Sequence, residues 1–257
     1  MKIVIAALVR GYPNKSGYRS LLKRNKYIYK NITSKVNYTI DLILFHEGNI
    51  SLDHQNYINK KSPDKYNFID VSKDFDYKKE NLANIPDLER FGIGYRLMCK
   101  FNFFHIWSYV DNYDYLIRID EDVLIKRFDS NYFDNFNSNF VFGTANLTNE
   151  THTYTNNSLP DELQKIFNTN NQSFYNHKFP YTNFYITKLD FWKDSELNAT
   201  LRIIAENNKQ LLDRWGDLPV LGSVLNYMEV QITILENIKY THLSHQNKFK
   251  KSKKIRS

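Results

Sequence analysis

An acidic triplet at positions 120–122 (Asp-Glu-Asp) is the group of residues best suited to chemistry in this chain. It follows the apolar segment 113–119 and precedes a second apolar run at 123–125, which places it at the tip of a predicted buried strand. On a strand, Asp120 and Asp122 project to the same side, so both carboxylates can face one cation. Hard oxygen ligands suit Mg²⁺ or Mn²⁺. The same triplet is also common in acidic surface turns.

Residues near the ends of later predicted strands extend this set. His242, with His245 as the fallback, follows the predicted strand 238–241 and can complete a metal shell as a neutral imidazole. Asp190 ends the predicted strand 182–191, where a carboxylate can act as a nucleophile or a base. Each residue also has an ordinary structural explanation, as a surface or packing histidine and as a strand-end cap.

A compact cluster at 214–217 (Arg-Trp-Gly-Asp) precedes another predicted helix. Trp215 can stack on a sugar ring, and Asp217 can accept hydrogen bonds from sugar hydroxyls. Asp217 can equally cap the helix, because Pro219 then falls in the first helical turn. The cluster is therefore either part of a sugar site or only the entry to a helix.

The elements that position these residues alternate along the chain. Apolar runs predict strands at 2–9, 38–45, 67–71, 113–119, 140–145, 182–191 and 238–241, and helical periodicity predicts helices at 18–29, 89–109, 195–212 and from Asp217 onward. This alternation favours an α/β fold with a mostly parallel sheet, in which ligands bind outside the carboxyl ends of the strands. Segment 146–180 predicts a mobile loop over a site, with a short helix at 161–167.

Composition limits the class of protein. The 257 residues are 42% hydrophobic and 25% charged, which is enough for one large domain, and no linker divides the chain. The single cysteine excludes an internal disulfide framework. The apolar start at 1–9 is too short for a membrane span, so it predicts a first strand rather than a signal peptide. These features together predict a cytoplasmic protein, associated with membranes only through partners or its basic tail.

The net charge of +7 comes in part from a basic tail at 248–257. Basic tails bind nucleic acid or anionic lipid, or are simply solvated chain ends. No base-reading motif accompanies this tail, so we expect no nucleic acid as a partner. A basic protein also suits an anionic substrate that carries a diphosphate.

Three blocks of the sequence resemble one enzyme family. They read Tyr-Arg-x-Met-Cys-Lys-Phe-Asn at 95–102, Arg-Ile-Asp-Glu-Asp-Val at 118–123 and Arg-Trp-Gly-Asp-x-Pro-Val at 214–220. In order and spacing they resemble the fungal α-1,2-mannosyltransferases of glycosyltransferase family 15. The resemblance covers roughly residues 90–125 and 210–225.

This resemblance implies a Rossmann-like GT-A domain at 1–247 and transfer of mannose from GDP-mannose to a glycan or other hydroxyl acceptor, with retention of configuration. It implies Mn²⁺ as the cofactor, with Mg²⁺ possible, and a family Asp-x-Asp-type metal motif. The implied residues are Asp120, Asp122 and His242 for the metal, Asp190, Asp217 and Tyr95 for catalysis, and Arg10, Glu47, Tyr95, Arg96, Arg118, Asp120 and Trp215 for the nucleotide-sugar.

The chain departs from the family in ways that leave alternatives open. Positions 120 and 190 hold Asp where the family has Glu, and the family's membrane anchor and several cysteines have no counterpart here. One alternative is a GT-A enzyme that uses a UDP-sugar, with inversion and Asp190 or Asp217 as the base. More distant alternatives are a nucleic-acid-binding protein and a metal-dependent phosphotransferase or nuclease, although the sequence has no glycine-rich phosphate loop.

Overall fold

The computed structural model describes residues 1–77, 91–135, 141–175 and 178–243. Four of the sequence predictions lie wholly or partly outside these residues: the beginning of the long helix at Glu89, the beginning of the strand at Phe140, the fallback ligand His245 and the basic tail at 248–257. The division into a domain at 1–247 and a tail therefore stays a prediction.

One large sheet and two short ribbons contain the described strands. The strands are β1 Ile3–Leu8, β2 Ile40–His46, β3 Asn67–Asp70, β4 Tyr115–Ile119, β5 Val123–Arg127, β6 Phe142–Thr144, β7 Leu147–Thr148, β8 Phe179–Pro180, β9 Phe184–Lys188, β10 Ile232–Ile234 and β11 Lys239–His242. The large sheet has seven strands in the order β10-β6-β9-β4-β1-β2-β3, and the ribbons pair β5 with β11 and β7 with β8.

The large sheet is mostly parallel, as the sequence predicts. Strand β1 is parallel to β2 and β4, β2 is parallel to β3, and β10 is parallel to β6. Strand β9 runs antiparallel to both β4 and β6. The carboxyl ends of β1, β2 and β4 consequently share one edge, and Arg10, Glu47 and Asp120 follow those ends.

The central strand β1 explains why its sequence is apolar without alternation. Ile3, Ile5 and Ala7 pack into the hydrophobic core on one face of the sheet, whereas Val4 and Ala6 pack into the core on the other face. A strand that is covered on both faces has no side on which polar residues can meet water. Its five core residues fix the sheet from which the site is built.

The helices cover both faces of the sheet. They are α1 Arg19–Asn31, α2 Leu52–Lys61, α3 Ile93–Lys100, α4 Ile106–Tyr109, α5 Tyr132–Asn135, α6 Thr153–Ile166, α7 Leu189–Trp192, α8 Ser195–Glu206, α9 Asn208–Leu212 and α10 Asp217–Tyr227. The predicted helix 195–212 is divided, because Asn207 has extended backbone and its side chain caps α9. Within the described ranges, no helix is long and apolar enough to cross a membrane.

A π-helical turn, Phe101–His105, joins α3 to α4 in one helical segment from 93 to 109. Such turns admit one extra residue per turn and occur frequently at functional sites. In segment 146–180, helix α6 begins eight residues before the predicted short helix, at Thr153 rather than at 161. Pro160 lies inside α6 and is buried. The described part of this segment is therefore largely helical, and the prediction of a loop with one short helix is wrong there.

Candidate active site

A cavity of about 620 Å³ opens at the carboxyl edge of the central sheet. It is lined by the ends of β1 and β4, by α3 and the π-helical turn, by the segments 148–151 and 181–183, by the beginning of α10 and by the end of β11. Seven predicted site residues line it: Arg10, Tyr95, Arg118, Asp120, Asp122, Asp217 and His242. The fold thus joins residues from all three of the blocks that carry the family resemblance.

The acidic triplet forms a turn rather than the tip of a strand. Strand β4 ends at Ile119, and the N–H of Val123 donates to the carbonyl of Asp120 at 3.1 Å, which closes a four-residue turn. Asp120 and Asp122 therefore do not alternate on one strand face, and they have different partners. The expectation that strand geometry aims both carboxylates at one cation is wrong.

Asp122 meets His242 across the ribbon that β5 forms with β11. His242 is paired with Val123 in this ribbon, and the Nε2 atom of His242 lies 3.0 Å from Oδ1 of Asp122. Burial would lower the pKa of His242, but the hydrogen bond and charge of Asp122 outweigh burial and raise it. One carboxylate and one imidazole form a donor set that Mn²⁺ accepts more readily than Mg²⁺, which prefers oxygen.

The predicted three-residue metal shell is not assembled, because Asp120 turns toward Arg118 instead. In the described part of the chain, no group of three or more His, Cys, Asp or Glu side chains is arranged to hold a metal ion. Asp122 and His242 alone fit a cation that takes its other ligands from phosphate oxygens and water, as metals at nucleotide sites commonly do.

Arg118 links the acidic turn to the 214–217 block. Its guanidinium lies 2.9 Å from Oδ1 of Asp120 and 3.0 Å from Oδ2 of Asp217, and it also donates to the carbonyl of Thr182. Arg118 is buried, whereas Asp120 keeps 31% of its side-chain surface exposed. Burial raises the pKa of Asp120 to about 6, although Arg118 opposes this and Asp217 adds to it. A planar guanidinium suits this role because it can contact two carboxylates at once.

The opposite wall of the cavity contains a second arginine. Arg214 donates to the hydroxyl of Tyr95 at 3.0 Å, pairs with Glu150 at 3.3 Å and lies 4.1 Å from the ring centre of Phe91. Its backbone is in the left-handed region, with φ at 57°. This conformation costs a non-glycine residue about 1 kcal/mol or more, and such strain is concentrated at functional sites. The contacts fix the phenol of Tyr95 at the rim of the cavity.

Glu121 ties the acidic turn to the loop after β1. Its Oε2 atom accepts the backbone N–H of Arg10 at 2.9 Å. Burial raises the pKa of Glu121, and the hydrogen bond from Arg10 opposes this change. The middle residue of the triplet therefore positions the loop that carries Arg10.

Asp190 does not reach the cavity, and the prediction that β9 delivers it there is wrong. Strand β9 is antiparallel to β4, so Lys188 lies opposite Tyr115 at the far end of β4. Asp190 follows in α7 with 66% of its side chain exposed, and it pairs with Lys193 at 3.0 Å. The start of β9 is the end that lies at the site.

Three other predicted donor-binding residues lie outside the described lining of the cavity. Trp215 is completely buried and its Nε1 donates to Ser158 at 2.9 Å, so its ring is part of the core and the predicted sugar stacking is wrong. Arg96 is 1% exposed and donates to the carbonyls of Leu211 and Leu212, which supports the segment that leads to Arg214. Glu47 is half-buried, and the charge of Arg10 opposes the rise in pKa that burial gives it.

Sequence reasoning missed several polar residues that line the cavity, among them Asn183 and Glu150. The carbonyl of Asn183 accepts the N–H of Asp120 at 3.0 Å, and its side chain accepts the hydroxyl of Tyr240 at 3.1 Å. Asn183 lies at the start of the predicted strand 182–191, whereas the predicted site residue Asp190 lies at the other end. Glu150 lies in the segment that was predicted to cover a site.

Known proteins resemble this chain in sequence and in fold. No protein-family model matches the chain. A probable mannosyltransferase of Candida albicans, MNT3, is 28% identical in an alignment 187 residues long that covers 65% of this chain and 48% of the relative. The chain therefore spans about half the length of this curated relative.

Solved structures of fungal transferases match nearly the whole chain. Core-mannan synthase A of Aspergillus fumigatus, solved in a form with manganese and GDP, matches with a TM-score of 0.72 and 19% identity over 93% of this chain and 74% of its own. The mannosyltransferase Ktr4p of S. cerevisiae matches with a TM-score of 0.76 and 16% identity over 93% of this chain and 70% of its own.

The fold is that of a GT-A glycosyltransferase, as the sequence predicts. The sequence similarity to the Candida protein confirms the resemblance to fungal mannosyltransferases that the three blocks indicate. The site residues are assigned by the geometry of this chain alone.

Proposed function

We propose that this protein is a metal-dependent glycosyltransferase that transfers a sugar, with mannose from GDP-mannose favoured, to a hydroxyl of a glycan or similar acceptor. One observation carries the proposal. A single cavity at the carboxyl edge of a GT-A sheet brings the Asp122–His242 pair next to the Arg118 bridge between Asp120 and Asp217. The mannosyltransferases that the chain resembles support both the reaction and the sugar.

Asp122 and His242 are the residues that would hold Mn²⁺. When bound, the cation neutralises the charge of the diphosphate leaving group. The form of the Aspergillus synthase with manganese and GDP supports this choice of metal and nucleotide. Arg10, at the end of β1, adds a positive charge near the place where a nucleotide diphosphate would lie.

The remaining residues orient the sugar and the acceptor. Arg118 holds Asp217 in a fixed position, so that its carboxylate can accept hydrogen bonds from sugar hydroxyls. Tyr95 and Glu150 are held by Arg214 at the rim, where an acceptor hydroxyl enters. We propose that the transferred sugar retains its anomeric configuration. Asp190 does not form a covalent intermediate in this proposal, because it lies at the opposite edge of the sheet.

A thermal-shift panel tests the proposal. The wild-type protein is heated with Mn²⁺ and with GDP, UDP, GDP-mannose or UDP-glucose, and the expected result is a rise in Tm that needs both Mn²⁺ and a guanine nucleotide. Asp122→Ala and His242→Ala should abolish the rise. Asp190→Ala is a matched control at an exposed carboxylate on the far edge, and it should keep the full rise.

The outcomes separate the alternatives. A rise with UDP or UDP-glucose and none with GDP would favour the UDP-sugar enzyme. No rise with any nucleotide would overturn the proposal. If a sugar nucleotide binds and is turned over, NMR of the anomeric proton of the product shows retention or inversion. The predicted cytoplasmic location stays a prediction, which fractionation of the source cells would test.

A further inference from the structure

One face of the helical segment 93–109 contributes three residues to the lining of the cavity. Tyr95, Met98 and Asn102 recur at i, i+3 and i+7, and all three line the cavity. Tyr95 is partly exposed and its hydroxyl accepts from Arg214, whereas Asn102 is only 1% exposed. Asn102 belongs to the π-helical turn, which offsets the helix at this point.

The amide of Asn102 is chemically unsatisfied. Its Nδ2 and Oδ1 atoms are both buried, and neither has a hydrogen-bond partner among the described residues. Leaving one such buried group without a partner costs about 1–3 kcal/mol. Asn102 therefore lines the cavity with an unused donor and an unused acceptor in its buried side chain, which indicates a capacity to bind rather than a stabilising core contact.

We propose that Asn102 is a specificity-determining residue that reads the hydroxyls of the transferred sugar. This inference rests on the proposed function. A phosphate offers acceptors only and would leave Oδ1 unpaired, whereas a hydroxyl, or a neighbouring pair of hydroxyls, can both donate and accept. A site that is built to bond a hydroxyl strongly rejects a sugar that lacks it, because the buried amide is then left unpaired.

The helix face groups Asn102 with Tyr95 rather than with the Asp122–His242 pair. The Asp122–His242 pair comes from the acidic turn and β11, whereas Asn102 shares its helix face with Tyr95, which is held by the same 214–217 block that supplies Asp217. Arg118 bridges the two groups of residues. The sugar of a nucleotide bound at the metal would therefore extend toward Asn102.

The test compares two ligands on the same variants. Dissociation constants for GDP and for GDP-mannose, both with Mn²⁺, are measured by calorimetry for the wild type, Asn102→Leu and Asn102→Ala. The expected result is a roughly tenfold to hundredfold loss of GDP-mannose affinity with GDP affinity unchanged, which corresponds to two lost neutral hydrogen bonds. Ser108→Ala is the matched control, since Ser108 is exposed on the same helical segment and donates only to the carbonyl of His105 among the described residues.

Stability of the ligand-free protein gives an independent readout. Asn102→Leu removes an unpaired buried amide, so the Tm without ligand should stay equal or rise. Equal loss of affinity for GDP and GDP-mannose would overturn the inference, because the residue would then act on the base, the phosphates or the fold. A fall in Tm for both variants with unchanged ligand preference would overturn it also, and would indicate a structural water at the amide. If the wild type binds neither ligand, the proposed function fails first.

Discussion

Substitution of Arg118 by leucine tests the centre of the site. Arg118 has 5% of its side chain exposed and faces Asp120 at 2.9 Å and Asp217 at 3.0 Å. Leucine removes the cation and leaves the aliphatic volume partly filled. Two carboxylates that shared one guanidinium are then left facing each other in the cleft, together with the carbonyl of Thr182 that Arg118 also serves.

The expected loss of folding stability in Arg118→Leu depends on how well water can reach the two carboxylates. Removal of one partner from a fully buried ion pair costs about 3–5 kcal/mol. Asp120 is 31% and Asp217 is 11% exposed, so partial solvation favours the lower limit, about 3 kcal/mol. For a chain of this size, that loss lowers the Tm by about 6–12 °C. Arg118→Lys should cost about 1–2 kcal/mol, because one ammonium cannot contact both carboxylates as a fork does.

Urea unfolding followed by circular dichroism at pH 7 measures these losses. Adding Asp120→Asn and Asp217→Asn to the leucine variant should recover part of the lost stability, since neutral amides do not need a buried cation. Arg202→Leu is the matched control on the exposed side of α8 and should change stability by less than about 0.5 kcal/mol. A loss below about 1 kcal/mol for Arg118→Leu, or further loss in the triple variant, would refute the reasoning.

Three further substitutions test other parts of the structure. Glu162→Gln removes a carboxylate whose two lysine partners lower its pKa to about 2, so it should cost about 1 kcal/mol at pH 7. A depressed carboxylate pKa stabilises the fold above the unfolded value, so urea titrations should show this difference vanish as the pH falls from about 4.5 to 2. Gly222→Ala places a methyl group 1.9 Å from Cδ1 of buried Phe179, and thermal unfolding should show a loss of about 1–3 kcal/mol. Trp215→Phe removes the bond to Ser158 and part of a fully buried ring, so stability should fall by about 2–3 kcal/mol while GDP-mannose affinity holds; a tenfold affinity loss would instead favour sugar stacking.

Local pattern was sufficient to find the main elements of the sheet. The apolar run at 2–9 contains β1, and the runs at 38–45 and 113–119 contain most of β2 and β4. The same pattern does not predict strand direction, because side chains alternate between the two faces in the same way in parallel and antiparallel strands. The reversed direction of β9 decides which end of that strand meets Asp120, and this is why Asp190 was placed at the wrong edge.

The pairings within the site depend on contacts between distant segments. His242 reaches Asp122 only because β11 pairs with β5 in a ribbon outside the main sheet. Neither strand carries a local sequence signal for that pairing. The register that sets His242 opposite Val123 depends on contacts between segments far apart in the chain. The sequence therefore indicated both members of the pair, but not that Asp120 would be drawn away to Arg118.

The three blocks that carry the resemblance contain both structural residues and site residues. The two kinds differ in their burial and in their hydrogen-bond partners. Arg96 is buried and donates to the carbonyl of Leu212, and Trp215 is buried and donates to the hydroxyl of Ser158. Both residues therefore hold the 211–217 region in place. Arg118 and Asp217 face the cavity and each other. A motif match thus selects both kinds of residue together, because a site residue on a loop acts only when other residues hold that loop in position. Asn102 closes the first block, and its buried amide has no hydrogen-bond partner among the described residues, so burial alone does not class it as scaffold.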